Sequence, residues 1–565
     1  MLISSLNFYR SIDGGIGSII QTREGGSLLI EDFLKWPIQQ KIINNQHELK
    51  DQFRIHEDRL VARLKKEFFS NITSLFRIPQ TKCQYGMTQL KDENSAISAT
   101  FFPKYFFCPK CRKLKHIGNW QVGDGKGYPT CNCNDYTKKL EQVRFVLASE
   151  SGMISDVPWE QFLDSNGRAP IPFKKDVKGN KHLAYGTSGS AESLSAISVH
   201  EKDETGTSVK SKNLGSLPEI TFIDEDGNNY KMQLRQSNSI CYVKTVSSIF
   251  IPEYYPPVLE LHWIDHQISS WEKDNIVWDN TKLFERFRGE EQFTKSKTSI
   301  THIEKYLQET MDKTEANSDI TQNEDEYRKA EFEYFLHPTD LDSTELIIDT
   351  PLHINTLFIK ALYNIKKLKQ TTAQTGYCRI RPEASVIPVG GSQTRYFPAV
   401  EMYGEGILFE FDCEEVKNKL SEEQNVRNFI HTFSHVIMKE LEFECGYSVT
   451  TLRERLYCHF GQENLPIKLG VLIYALSGSD GSMGGLSSLF NNSETLEEKN
   501  IFKIIQNAIY RSQDCPNDPI CSAEEDSANN NRASCYACTL IPETSCEKFN
   551  KELDRANLIT FFSNQ

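Results

Sequence analysis

Nine of the fifteen cysteines fall into two clusters, and this placement constrains the fold more than any other feature. Cys108 and Cys111 form a C-x2-C knuckle, and Cys131 and Cys133 follow as C-x-C. The second cluster holds Cys515, Cys521, Cys535, Cys538 and Cys546. Thiolates favour Zn²⁺, and two short knuckles on opposed turns can supply four tetrahedral ligands. A closed four-thiolate site leaves no open coordination position, so its contribution is to folding. Two zinc sites are therefore expected. The first takes Cys108, Cys111, Cys131 and Cys133. The second has five candidates for four positions, and spacing alone does not choose among them. We assign it Cys515, Cys521, Cys538 and Cys546, with Cys535 left over because Ser534 and Tyr536 suggest a packed position. The scattered cysteines (Cys83, Cys241, Cys378, Cys413, Cys445, Cys458) read as small core residues of a reducing compartment.

Composition narrows the class. A chain of 565 residues is long enough for three or more domains with sizeable cores. No stretch approaches 18 apolar residues, so no transmembrane helix is expected. The first twenty residues lack a basic segment followed by an apolar one and do not read as a signal peptide, so a cytoplasmic protein is expected. A net charge of −13 argues against nonspecific DNA binding by the chain as a whole. A local basic groove is compatible with it. The most visible is on the first cysteine cluster, where Lys110, Arg112, Lys113, Lys115 and His116 accompany Phe106, Phe107 and Trp120. Such a mixture can hold a nucleic-acid strand by phosphate contact and stacking. The plainer alternative, which we take as the default, has the aromatics filling a small ribbon core beneath solvated lysines.

Toward the C-terminus, HTFSHVIMKELEFECGY places His431 and His435 four residues apart on one helix face. GVLIYAL (Gly470 to Leu476) reads as a buried strand that opens into SGSDGSMGG and then a helix near Leu486. The histidine pair lacks the glutamate of H-E-x-x-H, since Thr432 stands there and cannot act as a base. We expect both histidines to be structural, bonding the loop from Asp480 to Gly485. That loop enters a helix N-terminus, where an anion such as a DNA phosphate is favoured. Asp480, Gly481, Gly484 and Gly485 are the candidate contacts. Glu401 and Glu405 flank a glycine turn, for which a hairpin is a better explanation than acid–base catalysis. Neither G-x-x-x-x-G-K-[ST] nor H-x-K-x-x-x-x-D occurs, so no catalytic residue is assigned.

The expected fold is multidomain α+β, with an N-terminal zinc-ribbon-like insertion, a helical middle and a C-terminal mixed α/β zinc-stapled domain. The divisions are residues 1–99, a zinc-ribbon-containing part at 100–175, a β-rich segment at 176–260, a charged helical segment at 261–355, and a zinc-binding domain at 356–565. By composition alone, the Ser-, Gly-, Lys- and Thr-rich residues 176–215 read as a linker. The carboxylate-rich run near 311–336 lacks metal-loop spacing and reads as a solvated face.

The succession HTFSH, ECGYSVTTLRERLY, DGSMGGL and CPNDPIC…SCYACTLIPETSCE resembles the zinc-binding domain that follows the motor in MrfA-type helicases. It resembles more closely the DrmB family of DISARM anti-phage systems, which carries that domain without a motor. Arg10 to Ser18, the Asp156, Pro158 and Trp159 segment, and Glu401, Gly404, Glu405 and Gly406 are similar to the same family. Met153 and Ser149 depart from its pattern. So do His200, Glu201, Lys202 and Asp203, which stand where many relatives carry another C-x2-C pair, so no metal site is expected there. The resemblance implies a β-rich character for residues 176–215. It also implies a non-catalytic subunit that partners a DrmA-like helicase or ATPase and helps engage foreign DNA. The alternative is a stand-alone nuclease or hydrolase using His431, His435, Asp480 and the glycine loop.

Overall fold

The computed structural model describes residues 2–3, 14–21, 26–36, 54–55, 57–68, 70–77, 97–122, 128–133, 138–165, 170–175, 181–187, 193–250, 258–290, 293, 298–300, 303–304, 307, 328, 331–332, 344–348, 352–354, 357–392, 394–461, 466–476, 484–490 and 500–563. The chain divides into two compact units. One comprises Met1–Ser248 with Thr371–Glu401, the other Ile249–Gln370 with Met402–Gln565. Residues 371–401, expected with the C-terminal segment, thus group with the N-terminal unit. The architecture is α+β, with several sheets and interspersed helices.

In the first unit, the strands Tyr105–Phe107 and Lys113–His116 pair antiparallel in register Phe106↔Lys115. They extend into a six-stranded sheet through Leu183–Thr187, Ile197–Lys202 and Ser208–Asn213. Much of the polar segment read as a linker is therefore strand. Leu183, Tyr185 and Val199 bury themselves among Trp159, Phe162 and Tyr230, and that packing overrides a composition typical of loops. A five-stranded sheet beside it pairs Phe145–Ser149 with Asn229–Leu234.

In the second unit, the helix Glu423–Cys445 lies on a sheet that includes Leu452–Phe460, Pro466–Leu476 and residues 402–411. The expected strand Gly470–Leu476 is present, and its residues from 470 to 476 are buried. Phe429, Phe433, Ile437 and Leu441 recur at helical spacing on the face that meets Phe409, Phe411, Val471 and Ile473. Phe433 sits edge-on to Phe409 and Phe411, with ring centroids at 5.5 and 5.2 Å. Gly446 ends the helix in the left-handed region, φ 69°. The helices Asn500–Gln513 and Arg555–Ser563 cover the other side. Covered on both sides, the helix buries its polar residues too, and His431, Thr432, Ser434 and His435 are all fully enclosed. Buried polar groups need partners, so this face must find donors or acceptors elsewhere in the chain.

Gly404 permits the close approach of two strands, for a Cβ there would meet the Ala475 carbonyl oxygen at 2.0 Å. Of the helical middle, Val258–Lys273 and Asn280–Arg288 are described and pack through Ile264, Leu283 and Phe287. Most of the carboxylate-rich run lies outside the described residues. Glu331, which is described, is buried in a bidentate pair with Arg455, at 2.8 Å to both Nε and Nη2. Tyr457 Oη donates to the same carboxylate at 2.7 Å. Among the described residues, no helix is long and apolar enough to cross a membrane.

Candidate metal centres

The first cysteine cluster forms where two hairpin ends meet. Cys108 leaves the strand Tyr105–Phe107, and its N–H donates to the Lys113 carbonyl at 3.1 Å. Arg112, at φ 61°, turns the knuckle and donates its own N–H to the Cys108 carbonyl at 2.9 Å. Cys131 ends the strand Pro129–Cys131, with Cys133 just beyond. Cys108 and Cys133 sulfurs lie 3.6 Å apart, Cys111 and Cys131 sulfurs 3.8 Å, and all four fall within 4.8 Å of one another. A tetrahedral zinc with Zn–S bonds of about 2.3 Å has S···S edges of about 3.8 Å, so these residues fit such an ion. Burial opposes ionisation of Cys108, but the N–H groups of Cys111 and Lys110 outweigh it and bring the thiol down to about 7.

The aromatics here serve the interior. Phe106 and Phe107 are buried, and Trp120 Nε1 donates to the Phe106 and Lys115 carbonyls at 3.3 and 3.1 Å. Lys115 covers the Trp120 ring at 5.2 Å. Lys110, Arg112 and Lys113 stand exposed on the outside.

The C-terminal cluster closes differently from the sequence expectation. Cys515 and Cys535 sulfurs lie 3.5 Å apart, and Cys521 and Cys538 sulfurs 3.7 Å. Cys535 to Cys538 is also 3.7 Å, and these four form the compact set. Cys535 is therefore the fourth donor, and Cys546 is not part of this group. The turn explains it: the Cys535 N–H donates to Cys538 Sγ at 3.3 Å, so the C-x2-C knuckle presents both sulfurs to one point. Asn517 donates both its backbone N–H to Cys515 Sγ and its side-chain amide to Cys535 Sγ, at 3.5 and 3.4 Å. Burial works against Cys535, but such donors pull it down to about 6. Asp518 braces the first turn by accepting from Cys515 N–H, Ser522 N–H and Arg555 Nη2 at 3.0, 2.9 and 2.7 Å.

Cys546 instead meets the two histidines. His431 Nε2 lies 3.1 Å from Cys546 Sγ and 3.2 Å from Glu454 Oε1. His435 Nε2 lies 3.4 Å from the same Glu454 oxygen. The four donor atoms fall within 4.8 Å of one another, and all four residues are buried. Burial, then the Glu454 carboxylate, pushes the Cys546 thiol far up. The expectation that these histidines bond the glycine loop is thus corrected: the helix turns them to the strand Leu452–Phe460 and the tail. Glu454 escaped sequence reading because an isolated strand carboxylate looks like a solvent-facing residue.

The described part of the loop, Gly484 and Gly485, has another partner. Glu405 accepts from the Gly484, Leu486 and Ser487 N–H groups at 2.9, 3.1 and 3.3 Å. Ser487 Oγ and Tyr447 Oη donate to it at 2.8 and 2.7 Å. The helix N-terminus that begins after Gly484 therefore already holds an anion, the chain's own carboxylate. Gly484 and Gly485 do not offer an open phosphate seat. Asp480 and Gly481 lie outside the described residues.

A family profile described as a domain of unknown function, DUF8724, matches residues 12–234. A curated relative from Bacillus paralicheniformis, "DISARM protein DrmB", is 24% identical over 580 residues. That alignment covers 90% of this chain and 93% of the relative. Two four-cysteine clusters and a helix carrying a buried histidine pair thus belong to a chain whose similarity to this DISARM protein runs nearly end to end.

Proposed function

We propose that the chain is a non-catalytic subunit of a DISARM-type anti-phage defence complex, acting in the cytoplasm beside a DrmA-like helicase or ATPase and helping it engage foreign DNA. The observation that carries this reading is the extent of the similarity, 90% of one chain against 93% of the other. A shared module alone would align over a part. The C-terminal unit is read as the zinc-binding domain that MrfA-type helicases carry after their motor, here supplied in trans.

Cys108, Cys111, Cys131 and Cys133 would hold one zinc, and Cys515, Cys521, Cys535 and Cys538 a second. Such an ion supplies cross-linking rather than reaction chemistry, because four thiolates fill its coordination shell. With Glu405 occupying the loop helix, DNA contact falls to the exposed cations of the ribbon, Lys110, Arg112 and Lys113, with Lys115 at its edge. Contacts of this kind are to phosphate and are not sequence-specific.

Affinity purification of the tagged chain from its native operon, with mass spectrometry and a plaque assay, tests the reading. The expected result is a helicase-like protein in stoichiometric amount and loss of phage resistance when the gene is deleted. A partner-free chain whose deletion leaves plaquing unchanged overturns it.

A further inference from the structure

Between the helix Glu423–Cys445 and the tail, two nitrogen donors, one sulfur and one carboxylate face each other, all four residues buried. The hydrogen bonds fix what each offers. His435 Nδ1 lies 2.8 Å from the Thr539 carbonyl, which only accepts, so Nδ1 carries the proton. In the neutral ring Nε2 is then a lone pair, aimed at a carboxylate oxygen that is also a lone-pair donor. The Glu547 N–H donates to that Glu454 oxygen at 3.1 Å, but it does not reconcile two acceptors directed at each other in a buried interior, which a positive centre between them would. Among the described residues, neither His435 Nε2 nor Glu454 Oε2 has a hydrogen-bond partner. Cys546 Sγ accepts two backbone N–H groups, from Lys548 at 3.3 Å and Asn550 at 3.2 Å. The four-cysteine site shows the same pattern at Cys515 and Cys538.

We propose that His431, His435, Glu454 and Cys546 form a third metal site, closed to solvent, that holds a divalent cation. Two neutral imidazoles, a thiolate and a carboxylate carry two negative charges, which one such ion balances. The mixture of nitrogen, sulfur and oxygen suits zinc, and tetrahedral bonds of about 2.0–2.3 Å require donor separations of roughly 3.3–3.8 Å. The observed 3.1, 3.2 and 3.4 Å stand close to that range. Thr539 supplies the outer support, since a metal-bound histidine ordinarily gives its other N–H to a carbonyl or carboxylate. Four protein donors leave no position for water, so the site staples helix, strand and tail together. It has no access for a substrate.

X-ray absorption at the zinc edge tests this on the full chain, freed of any histidine tag and dialysed against a chelating resin. Four-cysteine sites give sulfur neighbours alone, at about 2.3 Å. The expected spectrum adds a nitrogen/oxygen shell at about 2.0 Å with imidazole outer-shell scattering. In His435→Gln that imidazole signal falls and metal analysis shows about one equivalent less zinc per chain than wild type. A sulfur-only spectrum from folded wild-type protein overturns the third site and leaves the four-cysteine assignments and the defence role intact. An imidazole signal unchanged in folded His435→Gln also overturns it. Should that variant fail to fold, the wild-type spectrum alone decides.

Discussion

In the ribbon, four thiolates come from hairpin ends no more than 25 residues apart, whereas His431 meets Cys546 across 115 residues. The ribbon cysteines sit at the margin of a small sheet, and Cys111, Cys131 and Cys133 are partly exposed. The histidine cluster sits inside the main core of the C-terminal unit, beneath two helices. The first is a local device that short spacing can encode. The second exists only once a helix, a strand and a tail have packed, so its composition is a product of the fold.

The largest effect should come from removing a thiolate. Cys111→Ser and Cys535→Ser should each lose one zinc by metal analysis and forfeit part of the roughly 10–16 kcal/mol that a structural zinc contributes. Cys546→Ser should leave the four-cysteine site loaded, and loss of that site's zinc in this variant would break the assignment of Cys535. Next, long-range assembly should matter even where no metal is involved. Glu331→Ala takes both short charge-assisted hydrogen bonds from the buried Arg455, leaving Glu547 at 3.8 Å, and should cost about 3 kcal/mol in a denaturation experiment. Burial pushes the Glu331 carboxyl up, but the Arg455 and Arg328 charges outweigh it and hold it below its ordinary 4.5. Its folded pKa is depressed, so its contribution is complete above about pH 4.5 and is lost as pH falls through the folded value. The wild-type protein should therefore destabilise in acid below pH 4.5 more steeply than Glu331→Ala. A parallel acid profile would remove Glu331 from the account.

A smaller effect is expected at the glycine loop. Glu405→Ala uncovers the N–H groups of residues 484, 486 and 487 and should cost about 1–2 kcal/mol, as loss of a helix cap does. Hydrogen exchange at those amides should rise with it. Smallest of all, Lys110→Glu, Arg112→Glu and Lys113→Glu together should change stability by under about 0.5 kcal/mol. The same triple variant should weaken DNA binding by the assembled complex and flatten its salt dependence, by about 0.9 per lost phosphate contact. Unchanged salt dependence would move the DNA contact away from the ribbon.

What could be read from the sequence follows the same division. The ribbon ligands, the buried strand Gly470–Leu476 and the shared helix face of His431 and His435 are encoded in spacings of a few residues. The choice between Cys535 and Cys546 is not, because it depends on where the tail folds back. Glu454 and Glu405 are carboxylates in strands, a pattern that ordinarily marks the solvent side, yet both are buried. Glu405 also shows why the loop was misread. A helix N-terminus does favour an anion, but nothing near the loop in sequence reveals that the chain provides it from residue 405. Composition misled in residues 176–215, where buried Leu183, Tyr185 and Val199 set the outcome against many small polar neighbours.

The span between His431 and Cys546 bears on how the molecule is made. As the chain leaves the ribosome, the ribbon can close within some two dozen residues, and Cys515 to Cys538 can do so within a similar length. His431 and His435 must wait for a further hundred residues to be synthesised before Cys546 arrives. The added loop entropy is modest, roughly 1.4 kcal/mol for a loop between four and five times longer. Time is the greater penalty, since the nascent helix presents an unfilled pair of imidazoles throughout. An ion captured there is captured last, after helix, strand and tail have come together, and its retention would mark a finished chain.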